Sequence, residues 1–221
     1  VDDIDTIALL QDAMRRRLYE YVAAQGREVA RNEAAEAVGV GRTLAAFHLD
    51  KLAEAGLLEV ASRRLTGRSG PGAGRPAKVY RRAAAERGVS VPPRDYRTVA
   101  GLLAEVADAA GLDMEAQDAA RRLGRTLRGA GGSCGDLDAV REVLAARGYE
   151  PVVEGEGAEA VLRMRNCPFH VVAERFPPLV CGMNLAMMEG LVEGSEGVGV
   201  RMDPRPGWCC VAADHSKNNR D

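Results

Sequence analysis

Four of the five cysteines of the 221-residue chain fall in its last quarter. Cys167 opens the stretch NCPFHVVAERFPPLVC, which closes on Cys181; His170 follows three residues after the first thiol, and Cys209 and Cys210 are adjacent in PGWCC. Zinc takes four thiolate or imidazole ligands in a tetrahedron, so Cys167, His170, Cys181 and one of Cys209 and Cys210 would close a site. An iron–sulfur cluster would take three of the cysteines and one further ligand. A redox disulfide would use only two. Taken singly, each cysteine is also an ordinary small core hydrophobe. Cys167, beside Pro168, is expected at a strand end opening a helix, where backbone donors favour thiolate. The contrasting chemistry is a thiol enzyme with Cys167 as nucleophile and His170 as base, but no carboxylate is evident to orient the histidine. Cys134, in the glycine-rich GAGGSCG, reads as an unimportant thiol.

The setting bears on these alternatives. No stretch approaches the roughly 20 apolar residues of a membrane span, and no charged-then-apolar signal segment opens the chain. A cytoplasmic, reducing location is therefore expected, where clustered cysteines more often bind metal or do redox chemistry than form structural disulfides. With 46% hydrophobic residues and only 4% aromatic, the cores must be built from Ala, Leu and Val. The net charge of −2 excludes a uniformly basic nucleic-acid binder but not a local basic patch.

The elements that would position the thiols make a small domain over residues 150–214. Glu150 to Glu154 and Ala160 to Met164 read as a hairpin, Pro178 to Leu191 as a helix carrying Cys181, and Gly197 to Met202 and Trp208 to Ala213 as strands joined by the turn sequence DPRPG. Antiparallel strands would flank two short helices, with the cysteines at converging ends. Adjacent strand residues face opposite ways, so ligation by both Cys209 and Cys210 needs a bend. Met183, Leu185, Met187 and Met188 are a second candidate, an apolar-ligand pocket, although Met-rich helices are more often adaptable core. Residues 86–149 read as a helical connector or dimerisation region. Its helices run from Tyr96 to Ala110, with a stripe of Leu102, Leu103, Val106 and Ala110, from Met114 to Arg128, with Ala116, Ala120, Leu123 and Leu127, and from Asp136 to Arg147. Residues 215–221 read as a disordered tail.

The first 85 residues carry a different signal. Ile4, Ile7, Leu10, Met14, Leu18 and Val22 recur at helical steps up to Gly26. A short Ala-rich helix over residues 30–38, the turn Gly39-Val40-Gly41 and a second helix from Arg42 follow, with Leu44, His48, Leu49 and Leu52 on its inner stripe. His48 reads as a satisfied core residue. After Gly56, two strands enclose the basic loop TGRSGPGAGRP, and residues 62–82 contain Arg63, Arg64, Arg68 and Arg75 and no acid. The second helix is expected in a major groove and the loop along phosphates. Arg42 and Thr43 would reach bases or phosphates at the helix start, Ala46 and Phe47 thymine methyls, and Lys51 phosphate.

GRTLAAFHLDKLAEAGLLE followed by GRPAKVYRR resembles the winged-helix regulators of the ArsR and DeoR-like groups. That resemblance implies a homodimeric transcription factor on double-stranded DNA with a palindromic operator, not an enzyme. Together with NCPF and the later cysteines, the chain resembles the SufR-like branch of iron–sulfur-sensing repressors. The resemblance implies a [4Fe-4S] cluster on Cys167, Cys181 and Cys209 or Cys210, with zinc or a small-ligand sensor as the alternative. The fold expected is α+β: a winged helix-turn-helix domain, a helical connector and a C-terminal α+β sensor domain.

Overall fold

The computed structural model describes residues 3–64, 76–128 and 135–215, and the chain divides into two units, Val1–Arg94 and Asp95–Asp221. In the first unit, the opening apolar repeat is not one helix. α1 (Asp3–Ala8) passes through a 3-10 turn, and α2 (Ala13–Gln25) starts afresh. The break lies at Asp12, which takes extended angles and whose carboxylate accepts from the Arg15 amide at 2.8 Å. Ile4 and Ile7 are consequently exposed, while Leu18 and Val22 enter the core.

α3 (Arg31–Val38) ends at Gly39, whose φ of +73° is the left-handed conformation that glycine adopts without penalty. α4 (Arg42–Glu54) follows at once. β2 (Leu58–Arg63) and β3 (Ala77–Arg82) pair antiparallel, and the two-residue β1 (Val29–Ala30) adds to the other edge of β3. Leu18, Val22, Ala35, Leu49, Leu52, Leu57 and Tyr80 fill the core between helices and sheet.

α4 keeps three of the four residues of the expected stripe and departs from it at its first position. Ala45, His48, Leu49 and Leu52 are buried, and Leu44 is 47% exposed. Both registers keep the helical period; alanine suits the inner position because the neighbouring helices approach closely. His48 is buried as expected, but its Nδ1 has no hydrogen-bond partner, so it is not the satisfied core residue expected.

The second unit begins with α5 (Tyr96–Ala109), α6 (Asp113–Leu127) and α7 (Leu137–Ala145). Residues 86–94 of the expected connector fall in the first unit and 95–149 in the second. Ala120, Leu137, Val140 and Leu144 share one core with the strands and α9 (Pro177–Val192). α6 and α9 touch backbone to backbone. A Cβ at Gly124 would lie 2.0 Å from the Met187 carbonyl oxygen, and one at Gly190 would lie 2.2 Å from that of Arg121. α5 has the reverse of the usual pattern: Gly101 is buried, whereas Val99, Leu102, Leu103 and Val106 are each more than half exposed.

The sheet of this unit has the order β4-β5-β7-β6, antiparallel throughout, built from β4 (Pro151–Glu154), β5 (Val161–Met164), β6 (Val198–Met202) and β7 (Val211–His215). The first pair is the expected hairpin. β7 begins at Val211, three residues later than the sequence pattern suggests, and runs to His215, the last described residue. Cys209 and Cys210 thus precede the strand, in a bent segment. α8 (His170–Ala173) is a single turn between β5 and α9.

Candidate functional site

The second unit brings four thiols into one run. Cys167 follows β5, Cys181 lies in the second turn of α9, and Cys209 and Cys210 lead into β7. All four are reduced. Cys167 is within hydrogen-bonding reach of Cys209, Cys209 of Cys210, and Cys210 of Cys181. The bend before β7 lets the neighbouring cysteines share this run. The Cys209 amide donates to the Met164 carbonyl at 2.8 Å, and the Cys210 carbonyl accepts from the Asp203 amide at 2.8 Å.

Cys209 is the thiol set up as thiolate. Hydrogen bonds from the Cys167 and Cys210 thiols outweigh its burial and, with the Val211 amide and the Asn184 side chain, bring it down to about 3. Cys167 and Cys210 are pushed up, first because they donate to Cys209 and then by burial. This corrects the expectation for Cys167. It does follow a strand and precede a helix, and the Phe169 amide does favour its anion, but the bond to Cys209 dominates.

Asn184 was not anticipated. It is 1% exposed in the middle of α9 and donates from Nδ2 to Cys209 Sγ at 3.2 Å. Its Oδ1 accepts from the Tyr149 hydroxyl at 2.5 Å, and burial pushes Tyr149 up, keeping it protonated. A lone polar residue inside the apolar run PPLVCGMNLAMMEGLV was the available signal, since a buried polar group needs partners.

His170 does not join the thiols. Its ring is 65% exposed and its Nε2 stands 3.1 Å from Glu174 Oε1. Its α8 position follows the turn closed by the His170 amide on the Cys167 carbonyl, which aims the ring outward. Among the described residues, no group of three or more His, Cys, Asp or Glu side chains surrounds a common point at which a metal ion could sit. The thiols form a line of contacts rather than a closed cage.

An ionic frame carries the loop that ends in the thiol pair. Arg163 is 3% exposed and pairs with Glu154 at 3.0 Å and with Asp203. Arg201 also bonds Asp203, at 2.6 Å. Hydrogen bonds from Arg163 and then Arg201 hold the Asp203 carboxyl down at about 2.

The first unit offers a second surface. On α4, Arg42, Thr43, Leu44, Phe47 and Lys51 are exposed and Ala46 is half-buried. Leu44 thus stands with Phe47 on the outer face, a contact residue that the expected register had placed inside. Lys51 lies over the Phe47 ring at 5.8 Å. The orientation of α4 is held by Asp50, which accepts from Tyr80 at 2.6 Å, Lys78 at 2.9 Å and Arg31 at 3.2 Å. Burial and the hydrogen bond to Asp50 raise Tyr80 to about 12. The strand cations are partly committed: Arg63 pairs with Glu28 at 2.9 Å and Arg81 with Glu59 at 2.5 Å. Arg64 is exposed at the end of β2, and Arg68, Arg75 and Cys134 lie outside the described residues.

Among the described residues no helix is long and apolar enough to cross a membrane. No curated protein and no solved structure matches the chain. Residues 10–61 match the family model described as a helix-turn-helix domain, a stretch that takes in α2, α3, α4 and most of β2, and this supports a DNA-binding transcriptional regulator.

Proposed function

We propose that this chain is a cytoplasmic homodimeric repressor of the SufR-like kind, not an enzyme, that binds a palindromic operator through α4 and the loop between β2 and β3. Its C-terminal unit is the sensor, and an iron–sulfur cluster of the [4Fe-4S] type on Cys167, Cys181, Cys209 and Cys210 sets operator affinity. The observation that carries this reading is the continuous run of four thiols, one of them set up as thiolate, inside a partly apolar site. Soft sulfur donors in that number are the ligand set of such a cluster. A bound cluster supplies a redox- and oxidant-sensitive centre. The chain's own residues orient the thiols, bury Cys209 and, through Asn184, stabilise negative charge on it.

The exposed apolar face of α5 supports self-association, since Tyr96, Val99, Leu103, Val106 and Ala110 follow three- and four-residue steps. Pairing would place two α4 helices on the half-sites of a symmetric operator.

One observation favours zinc as the second reading. Neighbouring thiols are already within hydrogen-bonding reach, as at the roughly 3.8 Å edges of a tetrahedron with Zn–S bonds of about 2.3 Å.

Serine keeps the size of cysteine but removes the soft ligand, so each of the four cysteines is replaced singly and iron, sulfide and zinc are assayed in anaerobically purified protein. Each substitution is expected to lower metal content, and His170→Ala to leave it unchanged. Full metal content and unaltered operator binding in both Cys167→Ser and Cys181→Ser would refute the cluster and zinc readings together. A stable monomer in sedimentation at micromolar concentration, with and without DNA, would remove the dimer.

A further inference from the structure

The thiol run is not equally accessible along its length. Cys209, at its inner part, is 4% exposed and held by Asn184. Cys181 and Cys210 line a cleft of about 570 Å³ on the α6–α9 side of the unit. That volume falls in the range of small-molecule sites. The wall is mostly apolar, including Met202, and it carries three polar groups: Gln117, Arg121 and Glu189. Arg121 and Glu189 pair at 2.6 Å with both side chains about one-third exposed. The cleft therefore offers a cation and an anion side by side, next to two sulfurs already in reach of each other.

A solvent-exposed ion pair is weak and rearranges at little cost. It matches the two charges of an amino acid's α-carboxylate and α-ammonium. A ligand that uses both the charges and the sulfurs is an amino-acid-derived disulfide.

We infer that Cys181 and Cys210 are a dithiol modification site, oxidised by a small zwitterionic disulfide of the cystine type to a Cys181–Cys210 disulfide. The assignment rests on the same thiol cluster as the preceding reading but requires no metal. Cys210 is shared with Cys209, so Cys181 is the attacking sulfur. The Cys181 sulfur gives up its proton and attacks one sulfur of the small disulfide, forming a mixed disulfide and expelling one small thiolate. The Cys210 sulfur then attacks the Cys181 sulfur, the protein disulfide forms, and the second small thiolate leaves. Two protein S–H groups are lost, one S–S bond is made, and the small disulfide is reduced to two thiols, which carry away the two protons. The bond would tie α9 to the segment before β7 and remove two of the four sulfurs from any metal.

The test uses full-length protein stripped of metal under reducing conditions and then exposed anaerobically to cystine. Free thiols are alkylated, and intact mass and peptide mapping locate the products. A cross-linked peptide joining Cys181 to Cys210 is expected, with Cys167 and Cys209 alkylated. Cys210→Ser should stop at one cysteine adduct on Cys181, and Cys181→Ser should lose the fast reaction. Arg121→Gln should slow it about tenfold, the factor carried by a contact of ~1.4 kcal/mol, while the reaction of the denatured chains stays equal. A dominant cross-link between Cys167 and Cys209, or thiol loss in Cys181→Ser at the wild-type rate, would overturn the inference. Because the readout is taken on metal-free protein, it stands or falls separately from the metal content of the purified chain.

Discussion

Replacing Asn184 by leucine isolates the polar support beneath Cys209. The two side chains share one branched skeleton of four heavy atoms, so the shape is kept and the added bulk is confined to the two methyl groups. What is lost is specific: the bond from Asn184 Nδ2 to Cys209 Sγ and the acceptor of the Tyr149 hydroxyl. Tyr149 is 3% exposed, so its hydroxyl has no route to bulk water. Two hydrogen bonds at about 1 kcal/mol each, and an orphaned hydroxyl at about 1–3 kcal/mol, give a gross loss of about 3–5 kcal/mol. Burial of the new methyl groups returns about 1–2 kcal/mol. The net expectation is destabilisation of the second unit by about 1–4 kcal/mol, centred on ~2.5 kcal/mol. Trp208 is the only tryptophan and lies in that unit, so its fluorescence follows the relevant transition. With a urea slope of about 2 kcal/mol per molar, the midpoint should fall by roughly 1 M. Adding Tyr149→Phe should restore about 1 kcal/mol or more, because the stranded hydroxyl is then gone. A midpoint for Asn184→Leu within ~0.2 M of wild type, or no recovery in the double variant, would show that the Tyr149–Asn184–Cys209 chain carries no such energy.

Three further outcomes follow from the same geometry. Asp203 is held at about 2 against an ordinary 3.8, so its contribution is full above the unfolded value and lost as pH falls through about 2; acid unfolding followed by Trp208 should show this loss, and Asp203→Asn should remove that part of the pH dependence. Leu44→Ala and Phe47→Ala, both on the exposed face of α4, should lower affinity for a selected duplex by about 1–3 kcal/mol each while leaving thermal stability within ~0.5 kcal/mol, read by fluorescence anisotropy and melting. Gly124→Leu should drive α6 off α9, since even a Cβ there overlaps the Met187 carbonyl; a loss of more than about 3 kcal/mol in the Trp208 transition is expected, and an unchanged transition would contradict the contact.

Much of the first unit was legible because its signals are local. Gly39 marks the turn by a backbone angle, and the alternation AKVYRR marks β3. The side of α4 that faces inward was not legible, because Leu44 and Ala45 are both apolar and only the approach of neighbouring helices selects the smaller one. The same limit hid Asp50, whose three partners come from α3 and β3. In the second unit the cysteine cluster showed in the sequence as a concentration of one residue type. Which thiol carries the charge did not, because it follows from how many donors converge on Cys209. The outward turn of His170 depends on one loop bond and leaves no trace in the C-x2-H spacing. On α5 the periodicity was plain, but a period cannot say whether its apolar face meets the same chain or another.

The most direct measurement is the affinity of the full-length protein for a duplex selected from random sequence, taken anaerobically before and after removal of metal with a chelator, at one fixed salt concentration. Coupling between the thiol site and α4 predicts a change of roughly 5–150-fold, the range of ordinary allosteric coupling, with the salt slope preserved because the phosphate contacts are unchanged. Equal affinities for the loaded and stripped protein, with metal loss verified on the same samples, would contradict a sensor that acts through these thiols.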